Sequence, residues 1–251
     1  MPSPPVALVT GASRGIGRRV AETLIDQGRR VIACARDGAA LESFAAQHAG
    51  EVLPLVCDFS LPGMATRCFD QALSLAGHID ELVYAAGIVH YQSVGEIDEA
   101  SLRAQHEVNF VSPFLLAQQV GVSMRQQGHG AMVLIASTLA ASPAPHTAAY
   151  AASKAALVAA ARTFALELAP HVRVNALAPG VIDTDMVHVP RPTAPSTSHA
   201  EVEAQLDVLR CMHPLRRLGT VNDVAQATLF LLNAPWVTGT VLTIDGGLSL
   251  K

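Results

Sequence analysis

The sequence predicts a doubly wound α/β fold on a seven-stranded parallel sheet, and three observations predict it. Short β-branched runs alternate with longer helical patterns from one end of the chain to the other. The strand-like runs are almost continuously apolar rather than alternating, as expected of strands covered on both faces. The first of them runs into a glycine-rich turn and then a helical pattern beginning near Arg18.

In order, the expected strands are Val6–Thr10, Val31–Ala35, Val52–Cys57, Glu81–Tyr84, Ala131–Ala136, Val172–Ala176 and Val241–Ile244. The segments between them carry apolar residues at helical spacing, as Val20, Leu24 and Ile25 do after the first strand. The Ala-rich stretch Thr147–Ala169 is interrupted by Lys154, Arg162 and Glu167, so it reads as a closely packed helix and not a membrane span. The irregular stretch Val187–Ser198 holds three prolines and precedes a helix expected near His199; its length suggests a lid over about residues 187–212. No composition shift divides the 251 residues, so one domain over residues 1–251 is expected.

Half of the residues are hydrophobic and 15% charged, enough apolar matter for a sizeable core. A net charge of -4 and isolated basic pairs such as Arg18-Arg19, Arg29-Arg30 and Arg216-Arg217 argue against a nucleic-acid or anionic-membrane surface. Cys34, Cys57, Cys68 and Cys211 form no CxxC pair, which points to reduced thiols and a cytoplasmic setting. The N-terminus has neither a basic n-region nor a long apolar h-region, so no signal peptide is expected. No His-Glu-x-x-His or comparable cluster is present, and no catalytic metal is expected.

The turn after the first strand reads Gly11-Ala12-Ser13-Arg14-Gly15-Ile16-Gly17. Glycines there permit a tight turn, close approach to a pyrophosphate and strand–helix contact, and the next helix offers free N–H groups to the phosphates. This makes the chain a dinucleotide-binding, Rossmann-type candidate. An NAD-binding unit would carry an acid about 20 residues further on, to hold the ribose 2′-hydroxyl. Here Arg36 stands at that point, with Asp37 one position later and Arg14 inside the turn. Two arginines suit a 2′-phosphate, so NADPH/NADP+ is the expected cofactor and NAD the minor option.

Tyr150 and Lys154 are four apart in a helical pattern and share one face. A nearby ammonium favours phenolate and is expected to lower the tyrosine pKa from about 10. Ser137 ends a buried strand thirteen positions before Tyr150, and Asn109 follows an earlier helix.

Taken with Asp58, Ala85-Ala86-Gly87, Pro179-Gly180 and Thr184, these motifs make the chain resemble the short-chain dehydrogenase/reductase family over essentially its whole length. The resemblance implies that Tyr150 protonates a carbonyl oxygen as hydride reaches the carbon. Lys154 would bond the nicotinamide ribose and depress the tyrosine pKa. Ser137 would bond the same substrate oxygen, and Asn109 would support a water chain that resupplies the proton. Cofactor contacts are implied for Gly11, Ser13, Arg14, Gly15, Ile16, Gly17, Arg36, Asp58, Ala86, Gly87, Tyr150, Lys154, Pro179, Gly180, Ile182 and Thr184. One departure stands out: Tyr84 occupies a place usually held by asparagine, and its hydroxyl needs a partner of its own.

Within the family the chain is most similar to bacterial 3-oxoacyl-[acyl-carrier-protein] reductases, through Asp183-Thr184-Asp185-Met186, His213–Gly219 and Asp245-Gly246-Gly247. This implies a 3-oxoacyl thioester as leading substrate, with an acyl carrier protein as a candidate partner and a homotetramer as the assembly. Gly128 and Pro170–His171 stand where such enzymes place docking cations; Arg125, Arg173 and Arg191 are the available substitutes. The segment from Met186 to His213 resembles in length that of dehydrogenases of dihydroxy-cyclohexadiene acids, which keeps a small cyclic or polyketide-like substrate open. A non-catalytic dinucleotide sensor is the third reading, and the retained Asn109, Ser137, Tyr150 and Lys154 argue against it. His90, Tyr91 and His146 are expected as pocket walls or surface rather than acids or bases.

Overall fold

The computed structural model describes residues 4–188 and 199–250. Seven parallel strands form one sheet in the order β3-β2-β1-β4-β5-β6-β7. They are β1 (Val6–Thr10), β2 (Arg30–Ala35), β3 (Val52–Val56), β4 (Glu81–Tyr84), β5 (Gly130–Ile135), β6 (Val172–Pro179) and β7 (Val241–Ile244). All seven expected strands are present. Five bounds are corrected: β2 and β5 begin one residue earlier, at Arg30 and Gly130, β6 continues through Leu177-Ala178-Pro179, and Cys57 and Ala136 lie just past the ends of β3 and β5.

Side chains on successive strand residues point to opposite faces, so an unbroken apolar strand feeds two cores at once. Val6, Leu8, Ile32, Leu82 and Met132 enter one core, with Leu116 and Val120 of α5 (Ser112–Gln127) and Leu157 and Phe164 of α6 (Ala148–Leu168). Cys68 and Ala72 of α3 (Met64–Ala76) join them. Ala7, Val9, Val31, Ala33 and Val133 enter the other core. There they meet Val20 and Leu24 of α1 (Gly15–Asp26), Leu41 and Phe44 of α2 (Gly38–Gln47), and Val224 and Leu231 of α8 (Val221–Asn233). The helix α1 starts at Gly15, three residues before the apolar pattern that announces it.

Between β4 and β5 the chain forms one helical rod with a fault in it. The helix α4 (Glu99–His106) passes into a π-helical turn, Glu107–Val111, and then into α5. Asn109, expected after a helix, therefore lies inside one. Pro113 supplies the reason, since it has no N–H and cannot close a normal turn onto the carbonyl four residues earlier. Ser112 N–H bonds the Glu107 carbonyl instead. The Val108 carbonyl is then left to the buried Tyr84 hydroxyl, which donates to it at 3.0 Å. This is the partner that Tyr84 needed.

The fourteen-residue α7 (His199–Met212) begins where the sequence places it. Residues 189–198, most of the proline-rich stretch that was expected to start the lid, lie outside the described residues. No helix among the described residues is long and apolar enough to cross a membrane.

Candidate functional site

Strand order reverses between β1 and β4, and in an open parallel sheet a crevice forms there, beyond the carboxyl ends of the strands. On one side lies the glycine turn. Gly11 and Gly15 adopt positive φ, +69° and +58°, a region that side chains disfavour. A Cβ at Gly17 would stand 2.4 Å from the Gly11 carbonyl oxygen, and one at Gly11 about 3.0 Å from the Ala86 nitrogen. The turn is thus packed backbone to backbone against Ala85-Ala86, and Thr10 Oγ1 accepts the Ala85 and Ala86 N–H groups at 3.0 and 3.1 Å. Arg14 is the N-cap of α1, and its side chain makes no capping bond. The first-turn N–H groups consequently face the crevice without a side-chain acceptor from the cap. This bare cradle at a positive helix end fits the pyrophosphate of a dinucleotide.

The charged candidates divide. Arg36 is exposed just past β2, while Asp37 caps α2 by accepting the Ala40 N–H at 3.0 Å. Asp37 thus has a structural task. Arg14 bonds Asp185 at 2.9 Å across the mouth of the crevice, both side chains being well exposed. Asp58 accepts from the backbone and hydroxyl of Ser60 at 3.0 and 2.8 Å.

On the other side of the crevice lie buried polar groups from three elements. Ser137 follows β5 and its Oγ accepts the Leu139 N–H at 3.2 Å. Tyr150 and Lys154 come from α6, on the same face as expected, and both are buried. Burial pushes Tyr150 up to about 12; a hydrogen bond with Ser137 works in the opposite direction, and Tyr91 adds to the rise. The expected lowering by Lys154 is therefore corrected. The ammonium lies 5.8 Å from the tyrosine ring centre and donates to the Ile135 carbonyl at 2.8 Å. Burial alone brings Lys154 down to about 8.

Asn109 is fully buried, and its amide is committed. Its Oδ1 accepts the Ile88 N–H at 3.0 Å, and its Nδ2 donates to the Ile88 carbonyl at 2.9 Å and to Ser153 Oγ at 3.2 Å. The side chain thus clamps the turn after β4 onto α6. A Cβ at Gly87 would meet Asn109 Oδ1 at 3.3 Å and Lys154 Nζ at 3.6 Å, so the absence of a side chain there keeps this corner open.

Past β6, Gly180 packs so closely that a Cβ would lie 2.7 Å from that of Asp245. Ile182 pairs with Gly219 as an isolated bridge, and Thr184 Oγ1 bonds the Ile182 carbonyl at 3.3 Å. The methyl of Thr184 would touch a Cβ at Gly15 at 3.7 Å, which places the 180–184 segment against the glycine turn.

Two contributors, Thr10 and Ser153, escaped the sequence reading. Thr10 ties β1 to the 85–86 turn, and Ser153 links Asn109 to the Tyr150 carbonyl, to which it donates at 2.7 Å. Ser153 lies three residues after Tyr150 on a buried face, which was the signal available. Tyr91 stands close enough to Tyr150 to raise its pKa. Among the histidines, His146 sits at φ +65° with Nδ1 3.1 Å from Ser93 Oγ, and His90 Nδ1 lies 2.9 Å from Ser101 Oγ. Of the substitute docking cations, Arg125 is exposed, and Arg191 lies outside the described residues. Arg173 is turned inward, donating to the Leu231 and Leu232 carbonyls at the end of α8.

A family model described as enoyl-(acyl carrier protein) reductase matches residues 11–249. The 3-oxoacyl-[acyl-carrier-protein] reductase of Bos taurus is 33% identical over 246 residues, 98% of each chain. Carbonyl reductase family member 4 of Xenopus tropicalis is 34% identical over 247 residues, again 98% of each. Among solved structures, ligand-free aldohexose dehydrogenase from Thermoplasma acidophilum superposes with a TM-score of 0.87 at 30% identity, covering 99% of this chain and 95% of that one.

Proposed function

The chain belongs to the short-chain dehydrogenase/reductase family, and on that premise we propose that it is an NADPH-dependent ketone reductase whose leading substrate is a 3-oxoacyl thioester. The observation that carries this reading is the meeting of Ser137, Tyr150 and Lys154 in a buried corner beside the bare glycine cradle. The Rossmann-type fold implies a nicotinamide dinucleotide, which when bound supplies the hydride to the carbonyl carbon.

The residues divide the remaining work. The backbone of Gly11, Ser13, Arg14, Gly15, Ile16 and Gly17 holds the pyrophosphate, Asp58 the adenine, and Arg36 with Arg14 the 2′-phosphate. Asp37 is occupied as a helix cap, which leaves Arg36 as the residue free to read that position. Ala86 and Gly87 form the floor, Lys154 and Tyr150 hold the ribose, and Pro179, Gly180, Ile182 and Thr184 hold the amide.

Tyr150, kept protonated by burial, donates its Oη proton to the carbonyl oxygen as that oxygen gains electrons. Ser137 Oγ bonds the same oxygen and fixes its distance from the tyrosine. Lys154 places a positive charge behind the ring as negative charge develops on the phenol. The Asn109 side chain is taken up in clamping, so support for a water chain falls to its main-chain carbonyl, from which Pro113 removes the usual N–H partner. Substrate enters from the side of His90, Tyr91 and His146.

A second reading, a small cyclic or polyketide-like ketone, is favoured by one observation: the inward turn of Arg173 removes a cation from the carrier-docking set. We place the assembly as a homotetramer, supported by the partly exposed Ala155 and Ala159 on α6; a monomer in light scattering would refute it. Ala151 is buried within its own chain and takes no part.

The test is oxidation of reduced nicotinamide with an acetoacetyl thioester, with NADPH and NADH compared and cyclic ketones run beside it. Thioester turnover with NADPH preferred is expected, and Arg36→Ala should weaken NADPH about tenfold or more while leaving NADH nearly unchanged. Turnover of cyclic ketones alone would select the second reading; equal effects of Arg36→Ala on both cofactors would remove the 2′-phosphate assignment.

A further inference from the structure

We propose that Cys34, Cys57 and Cys68 form a binding site for a thiophilic divalent metal ion, of the zinc and cadmium class, beneath the carboxyl ends of β2 and β3. Three of the chain's four cysteines meet there, from β2, from the residue after β3 and from α3. Their spacing in sequence forms no ligand motif; the fold alone brings them together. All three sulfurs lie within 4.8 Å of one another, with Cys34 and Cys68 at 3.7 Å. Among the described residues no other group of three or more His, Cys, Asp or Glu side chains converges in this way.

The spacing suits a shared central ion. Zinc–sulfur bonds of about 2.3 Å, arranged trigonally or as three corners of a tetrahedron, set the sulfurs about 3.8–4.0 Å apart. A disulfide would require two of them to close to about 2.05 Å and would leave the third without a role. Cysteine also serves as a small core hydrophobe, and one such residue would carry no message. Here three from separate elements turn their sulfurs toward one point.

Charge selects the class of ion. The thiols are fully buried in the larger apolar core, among Leu8, Ile32, Leu55, Phe59, Ala65 and Tyr84. A divalent ion on two thiolates and one thiol is neutral and on three thiolates carries one negative charge. A monovalent ion would leave one charge more, which burial penalises by several kcal/mol. The thiol protons leave to solvent as the metal–sulfur bonds form, with no change of oxidation state. Since Cys57 adjoins Asp58 and Cys34 lies two residues before Arg36, a bound ion would staple together the strand ends that carry proposed cofactor contacts; only this last consequence rests on the proposed function.

The experiment uses reduced full-length protein carrying Cys211→Ser, which removes the exposed thiol. Titration with Cd²⁺ should give sulfur-to-metal charge-transfer absorption saturating near one ion per chain, with about two to three protons released. Zinc-loaded protein should show three sulfur scatterers at about 2.3 Å in X-ray absorption. Cys34→Ser with Cys68→Ser should weaken Cd²⁺ by at least about tenfold while dinucleotide binding reports a folded chain. If that variant does not fold, the sulfur count in the unaltered triad decides. Absence of charge-transfer absorption, a shell of oxygen and nitrogen only, binding unchanged in the double variant, or a Cys34–Cys68 disulfide found by mass in unreduced protein would each overturn the proposal.

Discussion

The turn after β1 takes its shape from side chains that are missing, whereas the corner around Tyr150 takes its shape from side chains that are buried and already bonded. At Gly17 a single methyl would collide with the Gly11 carbonyl, so the turn is rigid because nothing else fits. Around Asn109 the geometry is held by polar contacts to Ile88, Ser153 and, through Ser153, the Tyr150 carbonyl. The first arrangement has low chemical content and offers only backbone N–H groups to a ligand. The second retains a phenol and an ammonium away from water, which costs stability and supplies reactivity.

The largest expected effect separates chemistry from binding. Tyr150→Phe should lower kcat by at least about a thousandfold, roughly 4 kcal/mol, while dinucleotide affinity measured by fluorescence titration changes little. Retention of a tenth of the activity would mean that the proton donor has been misassigned. The steric side is tested by Gly17→Ala, expected to cost about 2–4 kcal/mol in urea unfolding and to weaken dinucleotide binding. Gly50→Ala is its control: a Cβ there meets nothing within 4 Å, and only the positive φ of +85° opposes it, at about 1 kcal/mol. Equal costs at the two sites would break the distinction.

Lys154→Met should do the reverse on the polar side, abolishing turnover while stabilising the fold at pH 7. A lysine brought from 10.5 to about 8 by burial carries a penalty of about 3 kcal/mol when charged, of which a gain of about 1–3 kcal/mol should be recovered. The sign is fixed by proton uptake. Below pH 8 both states are protonated and the folded state bears the full penalty. Between about pH 8 and 10.5 the unfolded chain holds more protons, so native stability rises with pH and the advantage of Lys154→Met shrinks. Parallel stability–pH curves for the two proteins would contradict this. A modest effect is expected from Tyr84→Phe, which strands the Val108 carbonyl and should cost about 1–2 kcal/mol in the same unfolding assay.

The two regions also differed in how far they could be read in advance. Strands buried on both faces announce themselves as apolar runs, and the glycines of the turn are visible as letters. The pairing of Tyr150 and Lys154 on one face followed from their spacing. The protonation of that pair did not, because spacing carries no information on desolvation, and burial is the leading cause of the shift at both groups. Strand ends slipped where Leu177-Ala178-Pro179 prolong an apolar run without a break. Thr10, Ser153 and the three converging cysteines were illegible for a common reason, since each acts through a neighbour that only the folded chain supplies.

The widened turn at Glu107–Val111 has a consequence for how this chain can vary. A regular helix advances about 100° per residue, so one surplus residue offsets the facing of everything before it by that angle. Deleting a single residue in this turn would swing Asn109 away from Ile88, or else carry α4 around to a different neighbour. Length here acts as an angular setting, which an insertion or a deletion would change whatever residues it involved.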